Sequence, residues 1–268
     1  MFDYTYEAIL ADTEAARAIH RKIRYHVYCV ERRFENPDDF PFGEEHDRWD
    51  DEHYTTHFIV RHRRSDQWVA AMRVILPNAP CFPLEALQCL TSTHPNRHLP
   101  RRELGEISRV CIIRSCNAHA LNPYLGWDFG HVSKDGESEV FLGLIRAFIL
   151  YGLHREIKHY YILVTAALAR LSRRLGIVLH QAGVSVEHRG WRTPYLLDVQ
   201  ASRTALCRRS IAIRDMFDRK TLVYRPFSLL EKTMNEISLP MLPHLFPGSS
   251  TSEAFQPVDV TPYPLHPT

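Results

Sequence analysis

The spacing of hydrophobic and polar residues predicts alternating helices and strands along most of the chain. Apolar residues recur at helical spacing between residues 12 and 30, where Asp12 or Thr13 can cap the helix. Two apolar, β-branched segments, 54–62 and 68–76, flank a short polar turn and predict a hairpin. The further predicted elements are strands at 104–113, 159–166, 177–183 and 193–199, and helices at 84–90, 138–156 (capped by Ser138), 167–176 and 202–219.

This order of elements predicts an α/β protein with a mixed central sheet flanked by helices, in one domain over residues 1–220. Residues 221–268 are rich in Pro and Ser and predict a mostly disordered tail. Two long loops, 31–53 and 114–136, separate the regular elements, and the first carries a dense run of acidic residues. Loops of this length in compact domains usually serve a function.

The overall charge narrows the range of functions. The 268 residues carry 33 Lys and Arg against 31 Asp and Glu, which gives a formal net charge of +2. Bulk nucleic-acid binding usually needs a strong basic excess, and the arginines here are dispersed, so no nucleic-acid partner is expected. Hydrophobic residues make up 45% of the chain, which is enough for a buried core.

Cysteine usage and the apolar segments indicate a reduced, cytoplasmic protein. The six cysteines form no C-x-x-C pair, so they are interpreted as reduced and structural, and no metal site is expected. No signal peptide is visible at the N-terminus. The most apolar segment, Val140–Leu153, is interrupted by Arg146 and is too short to span a bilayer.

Four short motifs occur in one order between residues 24 and 109. They are R-x-x-V-Y-x-x-E (Arg24, Val27, Tyr28 and Glu31, with Phe34 beyond), D-x-x-D (Asp47 and Asp50, before a strand with His57), Arg73 within a strand, and G-E-I-S-R (Gly105–Arg109). Together they resemble the acyl-homoserine-lactone synthases, the autoinducer-synthase branch of the GNAT acyltransferases. The later stretch Val186–Tyr195 is similar to a sister group, the acyltransferases associated with PEP-CTERM/exosortase systems and the related N-acyl amino acid synthases.

The resemblance implies a GNAT fold and transfer of a fatty acyl group from acyl-carrier protein or coenzyme A to the amine of a small metabolite such as an amino acid. No bound cofactor is implied, because the thioester is a substrate. Tyr28 and Phe34 stand where the family has two aromatic residues, usually Phe and Trp, and His57 is expected at the substrate site. The family's charged active-site cluster is matched by Arg24, Asp47, Asp50, Arg73, Glu106 and Arg109, with Asp51 as a possible substitute for Asp50 in the alignment.

Amide formation from a thioester needs a base for the amine, donors for the carbonyl oxygen and a dry channel for the acyl chain. Glu106 is the first candidate for the base, and alternation along its strand places Ser108 on the same face. Ser108 and Arg109 complete the candidate catalytic set. A bulge in this strand would turn Arg109 and free backbone N–H groups for the carbonyl oxygen. The apolar face of helix 138–156 is expected to be core and is a candidate lining of the acyl channel.

The acyl donor is expected to be an acyl-carrier protein. After Arg109 the chain lacks the Arg/Gln-x-x-Gly-x-Gly/Ala loop by which many GNAT enzymes hold the coenzyme pyrophosphate at a helix N-terminus. Carrier proteins are small and strongly acidic, so basic residues steer their docking. The predicted docking residues are Arg97, Arg101 and Arg102, just before the catalytic strand.

Several alternatives stay open. Arg24, Asp47 and Asp50 are equally explained by ion pairs that pin the long loop over the first helix. The chain as a whole is alternatively an acyl-homoserine-lactone synthase that uses S-adenosylmethionine, or a non-catalytic module that binds an acyl carrier or a small molecule. The GNAT hypothesis makes one structural prediction, which is that strands 104–113 and 159–166 are neighbours that splay apart.

Overall fold

A computed structural model of the chain describes residues 2–50, 53–91, 98–114, 132–219 and 224–237. Within these ranges nine strands form one mixed sheet. The strands are β1 (Tyr6–Leu10), β2 (Thr55–His62), β3 (Trp68–Ile75), β4 (Leu104–Ile112), β5 (His159–Val164), β6 (Leu179–Gln181), β7 (Val186–Glu187), β8 (Trp191–Asp198) and β9 (Arg225–Pro226).

The sheet runs in the order β6-β8-β5-β4-β3-β2-β1-β9, with β7 paired to β8. Most neighbours are antiparallel, whereas β4 with β5 and β1 with β9 are parallel. All eight residues of β3 are buried, as expected for an apolar strand in the middle of a covered sheet. Arg73 is the one charged residue in β3, so the sequence places a cation inside the sheet layer.

Helices cover both faces of the sheet. In the described part of the chain they are α1 (Phe2–Thr5), α2 (Glu14–Tyr25), α3 (Pro83–Ala86), α4 (Lys134–His154), α5 (Ala166–Leu175), α6 (Val199–Arg209), α7 (Ile211–Asp218) and α8 (Phe227–Ile237). The apolar side chains of α2 pack on one face together with Leu230 of α8. Those of α4, α6 and α7 pack on the other.

Local hydrogen bonds explain where the helices begin and end. Thr13 caps α2 by accepting from the Ala16 amide at 3.3 Å, as predicted, and α2 continues into a π-helical turn, His26–Glu31. Helix α4 starts one turn earlier than predicted, because Ser133 and not Ser138 accepts from the Gly136 amide at 3.2 Å. The helix predicted at 202–219 is two helices, divided at the extended Ser210.

Strands β4 and β5 are neighbours that separate, as predicted. They pair from Leu104 with His159 to Ile107 with Ile162, and beyond these residues each strand continues without the other. On its other side β4 carries a bulge against β3. Ser108 lies opposite Arg73 and Cys111 opposite Ala71, so β4 has one residue more than β3 in this interval, and Arg109 adopts a φ of 51°.

The end of the described chain differs from the tail predicted from residue 221. Strand β9 pairs with β1, and the Leu230 side chain is 5% exposed in the α2 core. Ser228 also donates to Asp12 through its amide at 2.9 Å and its hydroxyl at 2.5 Å. The segment packs because Phe227 and Leu230 share one side of a helix, a pattern hidden by the surrounding Pro and Ser. Residues 238–268 lie outside the described ranges.

Two further features bear on the predictions. No described helix combines the length and apolar character needed to cross a membrane. Five cysteines lie in the described ranges and all are free thiols, whereas Cys116 lies outside them. Burial raises the pKa of Cys111 to about 12 and that of Cys29 to about 11, so both stay protonated at neutral pH.

Candidate active site

Two cavities meet where β4 and β5 separate. The larger, polar cavity has a volume of about 300 Å³ and includes Glu106, Ser108 and Arg109 of β4 and Leu163 of β5 in its wall. The smaller cavity, about 140 Å³, lies toward α4 and α5. Both are bordered by Tyr28, Ile107, Ser108, Arg109, Leu163 and Arg192.

The smaller cavity is apolar on most of its wall. Leu168 of α5 lines it, together with Phe141, Ile145 and Phe148 of α4. The three α4 residues belong to the apolar helix face that was a candidate lining of the acyl channel. The shape and chemistry of this space suit a hydrocarbon chain, because it offers apolar contacts next to a polar compartment.

A buried charge cluster lies beside the polar cavity and joins three arginines to three carboxylates. Arg24 contacts Glu45 and donates to Asp50 at 2.6 Å. Arg73 donates to Asp47 at 2.5 Å and to Asp50 at 2.9 Å. Arg109 completes the cluster with bonds to Asp47 at 2.7 Å and Glu45 at 3.1 Å. Each charge therefore has at least one opposite charge in contact, and Arg24 pairs with Asp50 but not with Asp47.

Two carboxylates of the cluster, Asp47 and Asp50, are held in their ionised form. Burial alone would raise the pKa of Asp50, but the hydrogen bond from His57 and the charges of Arg24 and Arg73 hold that pKa well below its usual range. Burial of Asp47 is likewise outweighed by Arg73 and Arg109, which lower its pKa. Neither residue can accept a proton at neutral pH.

His57 supports the cluster from inside the sheet. Its Nε2 lies 3.2 Å from Asp50 Oδ1, and its ring contacts the ring of His20 with 4.5 Å between centroids. Burial lowers the pKa of His57 despite the neighbouring Asp50, so the ring is neutral and donates to the carboxylate. His57 is not in the wall of either cavity at the gap.

Glu106 has a different environment from the other carboxylates. Its side chain is 3% exposed and accepts from the Leu84 amide at 3.0 Å, and it forms no ion pair within the described residues. Burial raises its pKa to about 8, against the smaller opposing effects of that hydrogen bond and of Arg73. Among the described carboxylates of the polar cavity wall, Glu106 is the one whose pKa is near neutrality.

The bulge sets the positions of Ser108 and Arg109. Ser108 Oγ accepts from Arg73 Nε at 3.0 Å, and the Arg109 guanidinium reaches the carboxylates of the cluster. Arg109 and Val110 stand together against the single residue Met72 of β3, outside the regular pairing, and β5 pairs only as far as Ile107. The predicted bulge is therefore present at the point where the two cavities meet.

Of the two predicted aromatic residues, Tyr28 lines the cavities and Phe34 lies beside it. Tyr28 borders both cavities and donates to the Val110 carbonyl at 3.4 Å, and its ring is 6.3 Å from that of Phe34. The turn between β7 and β8 covers them. Arg189 pairs there with Glu35, and the Arg192 guanidinium lies 5.9 Å from the Phe34 ring centroid.

Some site residues were not singled out by the sequence. Glu45 is one of several acidic residues in its loop, and only the fold shows that its side chain, 1% exposed, is a member of the cluster. Arg48, His188, Arg189 and Arg192 lie in the polar cavity wall. The last three belong to the stretch Val186–Tyr195, whose resemblance to the exosortase-associated group was the available signal.

The predicted docking arginines lie at the other end of β4 from the gap. Arg101 is occupied internally, because it donates to Pro77 and Ala79 carbonyls and to Glu85 and stacks on Phe82 at 3.6 Å. The Arg102 side chain is 81% exposed and lies 3.8 Å from the Glu103 carboxylate. Arg97 lies outside the described residues. A role of Arg102 in docking stays a prediction.

The described residues hold no group of three or more His, Cys, Asp or Glu side chains arranged as metal ligands.

Comparison with known proteins identifies the class that this fold represents. Residues 23–125 match the family model described as Acetyltransferase (GNAT) domain. The mixed sheet with its separated β4 and β5 is the GNAT fold, and the fold predicted from the motifs is confirmed. No curated protein matches the sequence.

Similar solved structures come from the branch that the motifs indicated. TofI, solved with an inhibitor and MTA, is 16% identical with a TM-score of 0.57, over 77% of this chain and 99% of TofI. The AHL synthase LasI is 16% identical with a TM-score of 0.55, over 75% and 94%. BjaI, a CoA-dependent acyl-homoserine lactone synthase solved with SAM and isopentyl-CoA, is 17% identical with a TM-score of 0.54, over 83% and 92%. At these identities the likeness establishes the fold.

Proposed function

We propose that this protein is an N-acyltransferase that moves a fatty acyl group from a carrier thioester to the amine of a small metabolite. The observation that carries the proposal is the meeting of two cavities at the gap between β4 and β5. One is apolar and suits the acyl chain. The other holds Glu106, a buried carboxyl with a pKa of about 8. Ser108 lies at their junction, where the thioester would be placed.

Glu106 acts as the general base in this proposal. The amine nitrogen attacks the thioester carbonyl carbon, a C–N bond forms, and the proton of the nitrogen passes to Glu106 directly or through a water. The C–S bond then breaks, and the leaving thiolate takes a proton to become the free thiol. A pKa of about 8 brings the carboxyl much closer to an aliphatic amine, at about 10.4, than an ordinary Glu at about 4.3.

The bulge supplies the electrostatic part of the site. As the carbonyl carbon becomes tetrahedral, its oxygen gains charge and needs fixed donors. Arg109 and Val110, which lie outside the regular pairing of β4 with β3, are where a backbone N–H can meet that oxygen. Arg73 and the carboxylates around it hold Ser108 and the loop 31–50 in position, and this structural role was one of the two explanations of the cluster.

The proposed function has two versions, which differ in the acceptor amine. An acyl-carrier protein or coenzyme A thioester suits the apolar cavity equally, and an amino acid is the acceptor we favour, in line with the likeness of Val186–Tyr195 to the exosortase-associated and N-acyl amino acid synthases. The second version is a homoserine-lactone synthase that uses S-adenosylmethionine. It is favoured by the presence of all six matching charged residues: Arg24, Asp47, Asp50, Arg73, Glu106 and Arg109.

A donor and acceptor screen tests the proposal. The purified protein is supplied with acyl-carrier or coenzyme A thioesters of several chain lengths, and with either the standard amino acids or S-adenosylmethionine. Thiol release and mass spectrometry of the products are followed together. We expect an N-acyl amino acid, whereas an acylated lactone would establish the second version. Binding of a thioester without its consumption in any mixture would instead identify a non-catalytic module.

A further inference from the structure

The charges of the polar cavity do not balance. Five arginines stand in its wall, Arg48, Arg73, Arg109, Arg189 and Arg192. Three of them have carboxylate partners, because Arg73 and Arg109 belong to the buried cluster and Arg189 pairs with Glu35. Arg48 lies on the Trp49 ring at 4.7 Å, and within the described residues neither Arg48 nor Arg192 contacts a carboxylate. The cavity therefore presents two uncompensated cations.

Of these two arginines, Arg192 has the stronger requirement for an anionic partner. It is a wall residue of both cavities, so it lies at their junction, where amine and thioester must meet. Its Nε is buried without a hydrogen-bond acceptor, and its one bond is a 3.4 Å contact from Nη2 to the Arg189 carbonyl. A buried donor that has lost water and gained no acceptor destabilises the free protein. An anionic ligand group would satisfy it.

The neighbours of Arg192 do not cancel its positive charge. His188 accepts from Arg189 Nη1 through its Nε2 at 2.8 Å, and burial together with Arg192 and Arg109 lowers its pKa. The ring is therefore neutral and cannot repel a second cation, but it provides no negative charge. Glu106, with a raised pKa, is largely protonated at neutral pH and does not neutralise the arginines either.

The position of Arg192 decides which substrate supplies the anion. The phosphate of a pantetheine donor is separated from its sulfur by the whole pantetheine arm, so it cannot lie at the gap when the thioester does. The acyl chain carries no charge. An anionic group within reach of Arg192 must therefore belong to the acceptor and lie a few bonds from its amine.

Building on the acyltransferase function proposed above, we propose that Arg192 is a specificity-determining residue that binds a carboxylate of the acceptor, with Arg48 as the second cation of the same compartment. The guanidinium fork of arginine matches a carboxylate with two parallel hydrogen bonds. The acceptor is then an amine that bears a carboxylate, held with its nitrogen toward Glu106. The start of β8, directly after the turn from β7, is then the element that selects the acceptor.

Esterified acceptors test the proposal because esterification removes the carboxylate charge and keeps the amine. The standard amino acids and their methyl esters are compared with one thioester donor, first as mixtures and then individually. We expect the amino acids to be preferred by at least tenfold in kcat/KM. In Arg192→Gln, KM for the amino acid should rise by about 10- to 100-fold, the range for losing a hydrogen bond between charged groups. KM for the ester should stay unchanged.

Two further variants keep the result interpretable. Arg192→Lys retains the charge without the guanidinium fork and should restore part of the affinity for the amino acid. Arg64→Gln removes an exposed arginine of the β2–β3 turn and should change KM for neither the amino acid nor its ester. Equal use of acids and esters by the parent enzyme, or an equal loss for both in Arg192→Gln, would overturn the role of Arg192 and leave acyl transfer standing. Failure to acylate any acceptor would remove the proposed function and this inference together.

Discussion

The charged groups of this protein fall into two regions that differ in how they are paired. In the buried cluster, three arginines face three carboxylates and every charge has an opposite charge in contact. In the polar cavity next to it, among the described residues, no cation is bonded to Glu106 and no anion to Arg192. Paired charges fix geometry, because moving them would uncover an uncompensated charge. Ionisable groups without a partner are left to interact with ligands. Holding the structure and binding ligands are therefore divided between two adjacent regions.

Breaking the paired region should have the largest effect. Arg24 is fully buried between Glu45 and Asp50, so Arg24→Met removes one of the two arginine partners of each carboxylate and leaves the buried cluster with an excess negative charge. We expect a loss of about 3–5 kcal/mol in the free energy of unfolding, measured in urea. The matched control is Arg17→Met on the same helix, whose partner Glu14 is 67% exposed, with an expected loss of about 1 kcal/mol or less. Equal effects of the two variants would contradict the structural role of the cluster.

Changing Glu106 should affect turnover and not folding. Glu106→Gln keeps the size of the side chain and removes the basic oxygen, so we expect kcat to fall by about 10²-fold or more. The parent kcat/KM should rise with pH up to about 8, where Glu106 loses its proton, and the variant should lack this rise. Unchanged turnover would move the base to another group.

Stability against pH gives an independent check on Glu106. Its pKa is raised in the folded protein, so folding favours the protonated form and the contribution of Glu106 is full below the unfolded pKa of about 4.3. That contribution declines as pH rises toward about 8. The Tm of Glu106→Gln should therefore gain on the parent between about pH 5 and about pH 8. A Tm difference that is constant over this range would show that Glu106 is not buried in a neutral form.

Filling the apolar cavity should alter the choice of donor. Ile145 lines this cavity and Ile149, one turn along α4, is equally buried but does not. Ile145→Phe should lower kcat/KM for long acyl chains by about tenfold relative to short ones, because each excluded methylene costs about 1–3 kcal/mol of binding. Ile149→Phe should lower Tm to a similar extent but should leave the preference for acyl chain length unchanged. A chain-length profile shared by both variants would exclude this cavity as the acyl site.

The smallest effect is expected at Arg102, which lies outside both regions. Arg102→Glu should raise KM for an acyl-carrier donor by about 2- to 5-fold at low salt, with kcat unchanged, because an exposed charge adds little to docking. A coenzyme A donor and the control Arg64→Glu should show no change. An equal response of both donors would exclude docking through this residue. Arg101 is unsuitable for this test, because its internal bonds to Glu85 and two carbonyls would be lost.

The order of the motifs in the sequence predicted the fold, the separation of β4 from β5 and most of the charged residues that the structure brings together. What it could not supply were contacts between distant loops. Glu45 is indistinguishable in sequence from Glu44 beside it, and the pairing of Arg189 with Glu35 joins residues 154 positions apart. Arg101 was expected to be a docking residue because it lies just before the catalytic strand. Its guanidinium is instead held by a segment that only the tertiary structure brings near.

The bulge at Arg109 also divides β4 into two half-strands of opposite phase. Ile107 and Ile112 both pack toward α4, although they are five positions apart, and Cys111 and Ile113 pack toward α2. Strict alternation would place residues 107 and 112 on opposite faces. Deleting one residue at the bulge would therefore make the strand continuous and exchange the faces of Cys111, Ile112 and Ile113. The apolar residues that follow the bulge therefore stabilise it, because a shift of one residue would move their side chains out of the cores on both faces of the sheet.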